Sequence, residues 1–201
     1  MGIIKENISR DIQSQTSQGR VDSSKIEQAF AKYDLNVDEA KVQQELNRII
    51  TEKVPENNTI EVKKFLLGSV ELTSLNTTDT EEQILAMVEK VNKFDSAYPN
   101  LPHVATVVTY PNFANLVRQT LEVDGVAIAV VSGSFPSSQT FLEVKVAETA
   151  LAIHDGAENV DVVLPVGKFF SEDYEGVSDE INELKQTCGK VPLKVILETC
   201  D

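Results

Sequence analysis

The sequence predicts an α/β fold in which parallel strands alternate with amphipathic helices. Apolar, strand-like segments begin near residues 70, 104, 126, 160 and 193, a repeat of roughly 30 residues that matches a βαβ unit. Helical patterns between them imply a parallel sheet covered by helices. No Gly-x-Gly-x-x-Gly or P-loop motif follows a strand, and polar residues occur inside the strands. These features favour a (β/α)8 barrel over an open doubly wound sheet, because a barrel lumen accepts functional side chains.

Three regions are predicted along the chain. Residues 1–22 are polar and without periodicity, which is typical of a disordered tail. Residues 23–67 are predicted to form a helical extension of short helices. Asp38 is placed to cap the second helix, and residues 55–58 are expected to break it. Residues 68–201 then hold about five β/α units, so the barrel is expected to be incomplete.

Strand and helix signals alternate within these units. The predicted strands cover residues 70–75, 104–110, 126–131, 159–165 and 192–198. Residues 80–83 have the pattern of a capping box, and residues 140–143 have a second one before a helix that ends near Gly156. Further helices are predicted around residues 113–120 and 174–188, the last of them closed by a glycine.

Composition excludes several classes of function. The chain carries 18 basic and 32 acidic residues and a net charge of −14, which argues against nucleic-acid binding through a broad basic face. No apolar run approaches the roughly 18 residues of a membrane span, and the N-terminus lacks the apolar block of a signal peptide. Two cysteines, Cys188 and Cys200, indicate a reducing compartment, and a cytoplasmic location is predicted. His103 and His154 are isolated, so no metal site is predicted.

Each of the last two strands carries a charge among apolar residues. Alternation places Asp161 with Val163 on one face of its strand, and Lys194 with Ile196 and Glu198 on one face of the next. If both faces point into one lumen, Asp161 and Lys194 lie within ion-pairing distance. One interpretation is a buried ion pair that fixes the register. The other is a proton-handling centre, with the carboxylate ionised and the amine close to losing its proton, as imine chemistry requires.

Polar residues also follow other strands. Glu71, Thr73 and Asn76 at the first strand are predicted either to bind substrate hydroxyls or to cap the next turn. The loop of residues 132–138 has hydroxyls and backbone amides that could line the mouth of a site, or it could be only a connection.

With these residues, the sequence resembles the class I deoxyribose-phosphate aldolases from about residue 33 to residue 198. The segments that carry the resemblance are residues 71–76, 110–113, 132–136, 147–149, 156–163 and 193–199. The resemblance implies a (β/α)8 barrel that reversibly cleaves 2-deoxy-D-ribose 5-phosphate to D-glyceraldehyde 3-phosphate and acetaldehyde. It implies a lysine Schiff base, no metal or other cofactor, and a role in deoxyribonucleotide and carbohydrate catabolism.

The resemblance also implies roles for individual residues. Asp161 matches the acidic residue of the proton relay, and Lys194 matches a lysine near the site that is not the Schiff-base lysine. Thr73 and Asn76 match positions near the substrate end of the first strand. The chain departs from the family at Glu71, where Asp is usual, and at Cys200, where glycine is usual.

Three hypotheses remain open at this point. The family's Schiff-base lysine lies on strand six and its phosphate site on strands seven and eight, so the first hypothesis is an N-terminal aldolase portion that is inactive alone. The second is a non-catalytic partial barrel that associates with another chain, since an unclosed barrel leaves two exposed edges. The third is a different barrel enzyme in which Lys194 forms the imine. A small phosphorylated sugar is the expected substrate, and a homo-oligomer is compatible with the exposed edges.

Overall fold

A single parallel sheet forms the centre of the computed structural model, which describes residues 23–33 and 36–199. Its strands lie in the order β1–β2–β3–β4–β5. They are β1 (Glu71–Thr73), β2 (Thr106–Thr109), β3 (Ala127–Val131), β4 (Asn159–Val163) and β5 (Leu193–Ile196). The predicted α/β fold with five parallel strands is therefore confirmed. The tail of residues 1–22 and Cys200 lie outside the described residues.

Helices connect the strands and precede the first of them. The N-terminal region contains α1 (Ser23–Phe30), α2 (Glu39–Arg48), a π-helical turn (Ile49–Lys53), α3 (Val54–Glu56) and α4 (Ile60–Leu67). The β/α region contains α5 (Glu81–Asn92), α6 (Phe94–Ala97), a 3-10 turn (Pro111–Phe113), α7 (Ala114–Thr120), α8 (Leu142–His154), α9 (Val166–Phe170) and α10 (Tyr174–Cys188). Among the described residues, no helix combines the length and the apolar character needed to cross a bilayer.

The N-terminal helices differ from the prediction at one place. Asp38 caps α2 as predicted, since its carboxylate accepts hydrogen bonds from the backbone of Ala40 and Lys41 at 3.0 and 3.2 Å. Pro55 does not break the helical path, which continues to the end of α3. A proline lacks the N–H of an ordinary helical residue. The wider π-helical turn before it, in which Val54 N–H donates to the Ile49 carbonyl, accommodates this loss.

Only one of the two predicted capping boxes forms. At α5 the Thr80 hydroxyl accepts from the backbone of Gln83, and the Gln83 side chain accepts from the backbone of Thr80. The box predicted at residues 140–143 is wrong. Because α8 begins at Leu142, Phe141 occupies the capping position and Thr140 lies one residue too early.

The strand register gives the two faces of the sheet different characters. One face packs under the helices and contributes Val107, Ile128, Val130, Val160 and Val162 to the core. The opposite face, here called the lumen face, carries Glu71, Val108, Ala129, Asp161 and Lys194. Sequence alternation therefore places Asp161 and Lys194 on the same face.

The sheet is curled toward its lumen face. In a flat sheet, β1 and β5 would lie about 19 Å apart, since neighbouring strands are spaced by about 4.8 Å. The side chains of Glu71 on β1 and Lys194 on β5 nevertheless meet, with 2.7 Å between Glu71 Oε2 and Lys194 Nζ. A lysine and a glutamate cannot span a flat sheet of five strands, so the curvature itself is required for this contact.

The two Thr positions provide a matched test of capping. Thr80→Ala is expected to lower the free energy of unfolding by about 1 kcal/mol, because it leaves backbone N–H groups of α5 without their acceptor. Thr140→Ala is expected to change it by less than about 0.5 kcal/mol, since Thr140 caps no helix. Chemical denaturation monitored by circular dichroism measures both. Equal losses for the two variants would contradict this assignment of the caps.

Candidate active site

A carboxylate and an ammonium group lie side by side on the lumen face. Asp161 is the third residue of β4 and pairs in register with Lys194 of β5. Lys194 Nζ lies 2.7 Å from Asp161 Oδ2, which confirms the predicted ion-pairing distance. Asp161 is only 5% exposed, whereas the Lys194 side chain is 46% exposed. The pair thus has a buried acidic end and an accessible basic end.

Glu71 is the second carboxylate that binds Lys194. Its Oε2 atom accepts a hydrogen bond from Lys194 Nζ at 2.7 Å, across the curled sheet. Sequence reasoning predicted substrate binding or turn capping for Glu71 and missed this ion pair. The two residues are 123 positions apart in the sequence, and no local pattern reports the curvature that joins them.

The two carboxylates keep Lys194 protonated. Partial burial acts to lower the pKa of the Lys194 ammonium, but hydrogen bonds and charge from Asp161 and Glu71 outweigh it and raise the pKa above its ordinary value. The predicted amine that is close to losing its proton is therefore wrong for Lys194. A protonated ammonium is a poor nucleophile, so the site as described does not prepare Lys194 for imine formation.

Burial raises the pKa of Asp161, which favours the protonated form of its carboxyl group. Desolvation raises the pKa of Asp161, the Lys194 ammonium lowers it, and the Glu71 carboxylate raises it again, so that the net shift is upward. Burial thus opposes the ionised form predicted for Asp161, while the Lys194 ammonium favours it. A carboxyl group with a raised pKa can both take up and release a proton nearer to neutral pH.

The remaining predicted residues of the first strand, Thr73 and Asn76, make local contacts. The Thr73 hydroxyl donates to the Glu71 carbonyl at 3.0 Å. The Asn76 side chain donates to Ser74 Oγ and to Asp79 Oδ1, both at 3.1 Å. Asn76 therefore belongs to the turn before α5, while Thr73 shares the lumen face with Glu71.

Glu148 of α8 binds the backbone of the loop after β3. Glu148 Oε2 accepts from the backbone N–H groups of Gly133 and Ser134 at 2.7 and 3.2 Å. These two amides are consequently occupied and do not serve as donors toward the lumen. Phe135 of the same loop packs against the apolar lumen-face cluster that includes Val131. Sequence reasoning missed Glu148, because a helix residue gives no local sign of which loop it binds.

The histidines lie apart from the candidate site. His154 Nδ1 lies 3.1 Å from Asp155 Oδ1 at the exposed end of α8. His103 precedes β2 and packs its ring against Phe94. Within residues 23–33 and 36–199, no group of three or more His, Cys, Asp or Glu side chains is arranged to hold a metal ion.

Comparison with known families agrees with this architecture. The family model described as DeoC/LacD family aldolase matches residues 67–200, which include every strand of the sheet. The chain belongs to the DeoC/LacD family of aldolases.

Individual relatives match over a part of their length. A Caenorhabditis elegans relative is 30% identical over 186 residues, which are 92% of this chain and 60% of that protein. The deoxyribose-phosphate aldolase of Clostridium botulinum is 33% identical over 131 residues, which are 65% of this chain and 58% of that enzyme. The solved structure described as QR15, an aldolase, superposes with a TM-score of 0.59 at 27% identity and covers 70% of this chain and 57% of its own. The chain thus spans somewhat more than half the length of these relatives.

Two substitutions distinguish the ends of the ion pair. Lys194→Met is expected to lower the free energy of unfolding at pH 7 by about 3 kcal/mol, because it leaves the buried Asp161 carboxylate without its ammonium. Asp161→Asn is expected to cost less than half as much, since the exposed Lys194 keeps Glu71 and water. Urea denaturation measures both, with Lys190→Met as an exposed control.

The pH dependence of the Lys194→Met variant gives an independent check. Its Asp161 pKa lies above the unfolded value, so the folded state holds more protons in the window between the two values. Stability in that window falls as pH rises and is recovered as pH is lowered. A loss that does not depend on pH, or a larger loss for Asp161→Asn, would contradict the assigned charge states.

Proposed function

We propose that this chain forms one wall of a class I aldolase site that cleaves 2-deoxy-D-ribose 5-phosphate to D-glyceraldehyde 3-phosphate and acetaldehyde. The observation that carries the proposal is the buried Asp161 carboxyl group beside the Lys194 ammonium, on the lumen face of an aldolase-family sheet. The name of the Clostridium botulinum relative supports the choice of substrate. The same proposal includes a cytoplasmic location and a role in deoxyribonucleotide and carbohydrate catabolism.

Asp161 is the proton donor and acceptor in this proposal. Imine formation and retro-aldol cleavage both require protons to be delivered and removed at neighbouring atoms of the substrate. The raised pKa of Asp161 suits such a group, and the Lys194 ammonium within 2.7 Å stabilises its ionised form after each transfer.

Lys194 acts as the charge partner of Asp161 and not as the imine-forming lysine. The raised pKa leaves its ammonium protonated, whereas imine formation needs a neutral amine. Lys145, which is buried, lies on α8 and is bound to Glu180. The imine-forming lysine is therefore assigned to a residue outside the five described strands.

The first strand contributes substrate contacts in the same proposal. Thr73 is exposed and shares the lumen face with Glu71, so its hydroxyl is placed to contact a sugar hydroxyl. Asn76 shapes the loop that follows through its bonds to Ser74 and Asp79. Glu71 holds the Lys194 ammonium between the two sides of the site.

A chimera tests the proposed roles. In this chimera, residues 67–199 replace the matching part of the Clostridium botulinum enzyme, and the rest of that enzyme is kept. The measured quantity is retro-aldol turnover. Asp161→Asn is expected to lower turnover by about 100-fold or more while the chimera stays folded, since general acid–base groups contribute roughly 10²–10⁴-fold. Asp124→Asn, at an exposed acidic position, is the matched control and should leave turnover unchanged.

Borohydride trapping tests the role of Lys194 separately. In the 201-residue chain incubated with 2-deoxy-D-ribose 5-phosphate, peptide mass spectrometry is expected to find no reduced adduct on Lys194. An adduct on Lys194 would favour the third hypothesis, in which Lys194 itself forms the imine. Near-normal turnover of the Asp161→Asn chimera would overturn the proton-relay role.

A second candidate function is association with another chain through the sheet edges. Among the described strands, β1 pairs only with β2 and β5 pairs only with β4, so each leaves one edge unpaired. Unpaired edges are templates for a further strand. Sedimentation velocity at increasing protein concentration measures this association. Turnover of the chimera separates the two functions, because a sheet that acts only by association would leave the chimera without retro-aldol turnover.

A further inference from the structure

A polar cavity lies between the loop after β3 and the segment after β4, outside the lumen face. Its volume is about 400 Å³, within the range of roughly 300–1,000 Å³ that is usual for small-molecule sites. Its lining includes Ser138, Gln139, Thr140, Lys168 and Glu180. No function was predicted from the sequence for Lys168 or Glu180.

Lys168 and Glu180 line this cavity, and the buried Lys145 lies behind them, bonded to Glu180. Glu180 of α10 is 4% exposed and Lys145 of α8 is 1% exposed. Glu180 Oε1 accepts from Lys145 Nζ at 2.5 Å, and Glu180 Oε2 accepts from Lys168 Nζ at 2.9 Å. One carboxylate thus faces two ammonium groups, which leaves a local excess of one positive charge in a chain whose net charge is −14.

The two lysines differ in how many N–H donors remain available for a ligand. Lys145 Nζ uses its three donors on Glu180, the Ser138 carbonyl and Ser138 Oγ. Within the described part of the chain, Glu180 is the only partner of Lys168 Nζ, so two of its three N–H groups are left for another acceptor. Lys168 is half-buried and lines the cavity, so these donors are available to a ligand bound there.

We propose that this cavity binds a small oxyanion, a phosphate or carboxylate group, with Lys168 as its charged contact. The reasons are the local positive charge, the spare donors of Lys168, and the further donors offered by the Gln139 amide and by the Thr140 hydroxyl. Both oxygens of Glu180 are already bound to ammonium groups, so the acidic side chain is compensated before any ligand arrives. Charge-assisted hydrogen bonds to an oxyanion are about twice as strong as neutral ones.

This site is separate from the candidate active site. Asp161, Lys194 and Glu71 lie on the lumen face, whereas the cavity is formed by loops and helices beside the sheet. Binding here therefore does not depend on the proposed aldolase function, and the two can fail independently.

Binding of inorganic phosphate by the 201-residue chain tests the proposal. Phosphate is titrated at constant ionic strength and the dissociation constant is measured by isothermal calorimetry and by the shift in thermal unfolding, with malonate as the carboxylate probe. Saturable binding is expected for one or both anions. Lys168→Gln is expected to weaken it by about tenfold or more, since a hydrogen bond to a charged group is worth about that factor.

Two further variants serve as controls in the binding experiment. Lys190→Gln removes the same charge from an exposed position outside the cavity and should bind as the unmodified chain does. Thr140→Glu places a carboxylate at the exposed edge of the cavity and should abolish binding without disturbing the buried ion pairs, so it decides the matter if Lys168→Gln does not fold. Absence of saturable binding of either anion, or equal binding by Lys168→Gln and the unmodified chain, would overturn the proposal. Loss of binding in Lys194→Met but not in Lys168→Gln would overturn it as well, because the anion would then occupy the lumen.

Discussion

The Lys194 ammonium lies between Asp161 and Glu71, two carboxylates from strands that a flat sheet would hold far apart. The distances of 2.7 Å to each of them require the five strands to curl around a common lumen. The curvature in turn gives the sheet one face that packs under the helices and one that encloses polar groups. Because a parallel sheet needs helices on its outer face, the apolar core and the lumen face with its ion pair follow from the same strand alternation. The candidate site is thus a consequence of how the sheet closes on itself.

The same contact determines the protonation states in the site. Burial alone would lower the pKa of a lysine and raise that of an aspartate. Here two carboxylates overcome the burial of the half-exposed Lys194, whereas one ammonium does not overcome the burial of Asp161. The result is an ammonium group and a carboxyl group side by side, both with a pKa above its ordinary value. Such a pair is suited to proton transfer on a substrate and unsuited to nucleophilic attack by Lys194.

Sequence periodicity predicted the parts of the structure that depend on local or adjacent order. The strands, the cap at Asp38 and the pairing of Asp161 with Lys194 follow from alternation and from neighbouring β/α units. Contacts that depend on the curvature of the sheet or on the packing of helices could not be predicted from sequence periodicity. Glu71 reaches Lys194 only because the sheet curls, and Lys145 meets Glu180 only because α8 and α10 lie side by side. A helix that starts one residue later than predicted was enough to make the predicted cap at Thr140 fail.

The central claim is that Lys194 is a fixed cation and Asp161 an exchangeable acid. Nuclear magnetic resonance titration of the Asp161 carboxyl carbon and the Lys194 Nζ nitrogen, in selectively labelled protein, measures both groups directly. The claim predicts an Asp161 pKa above the ordinary value of about 3.9 and a Lys194 ammonium that persists beyond about pH 10.4. Loss of the Lys194 proton near neutral pH, with Asp161 titrating at or below its ordinary value, would contradict it.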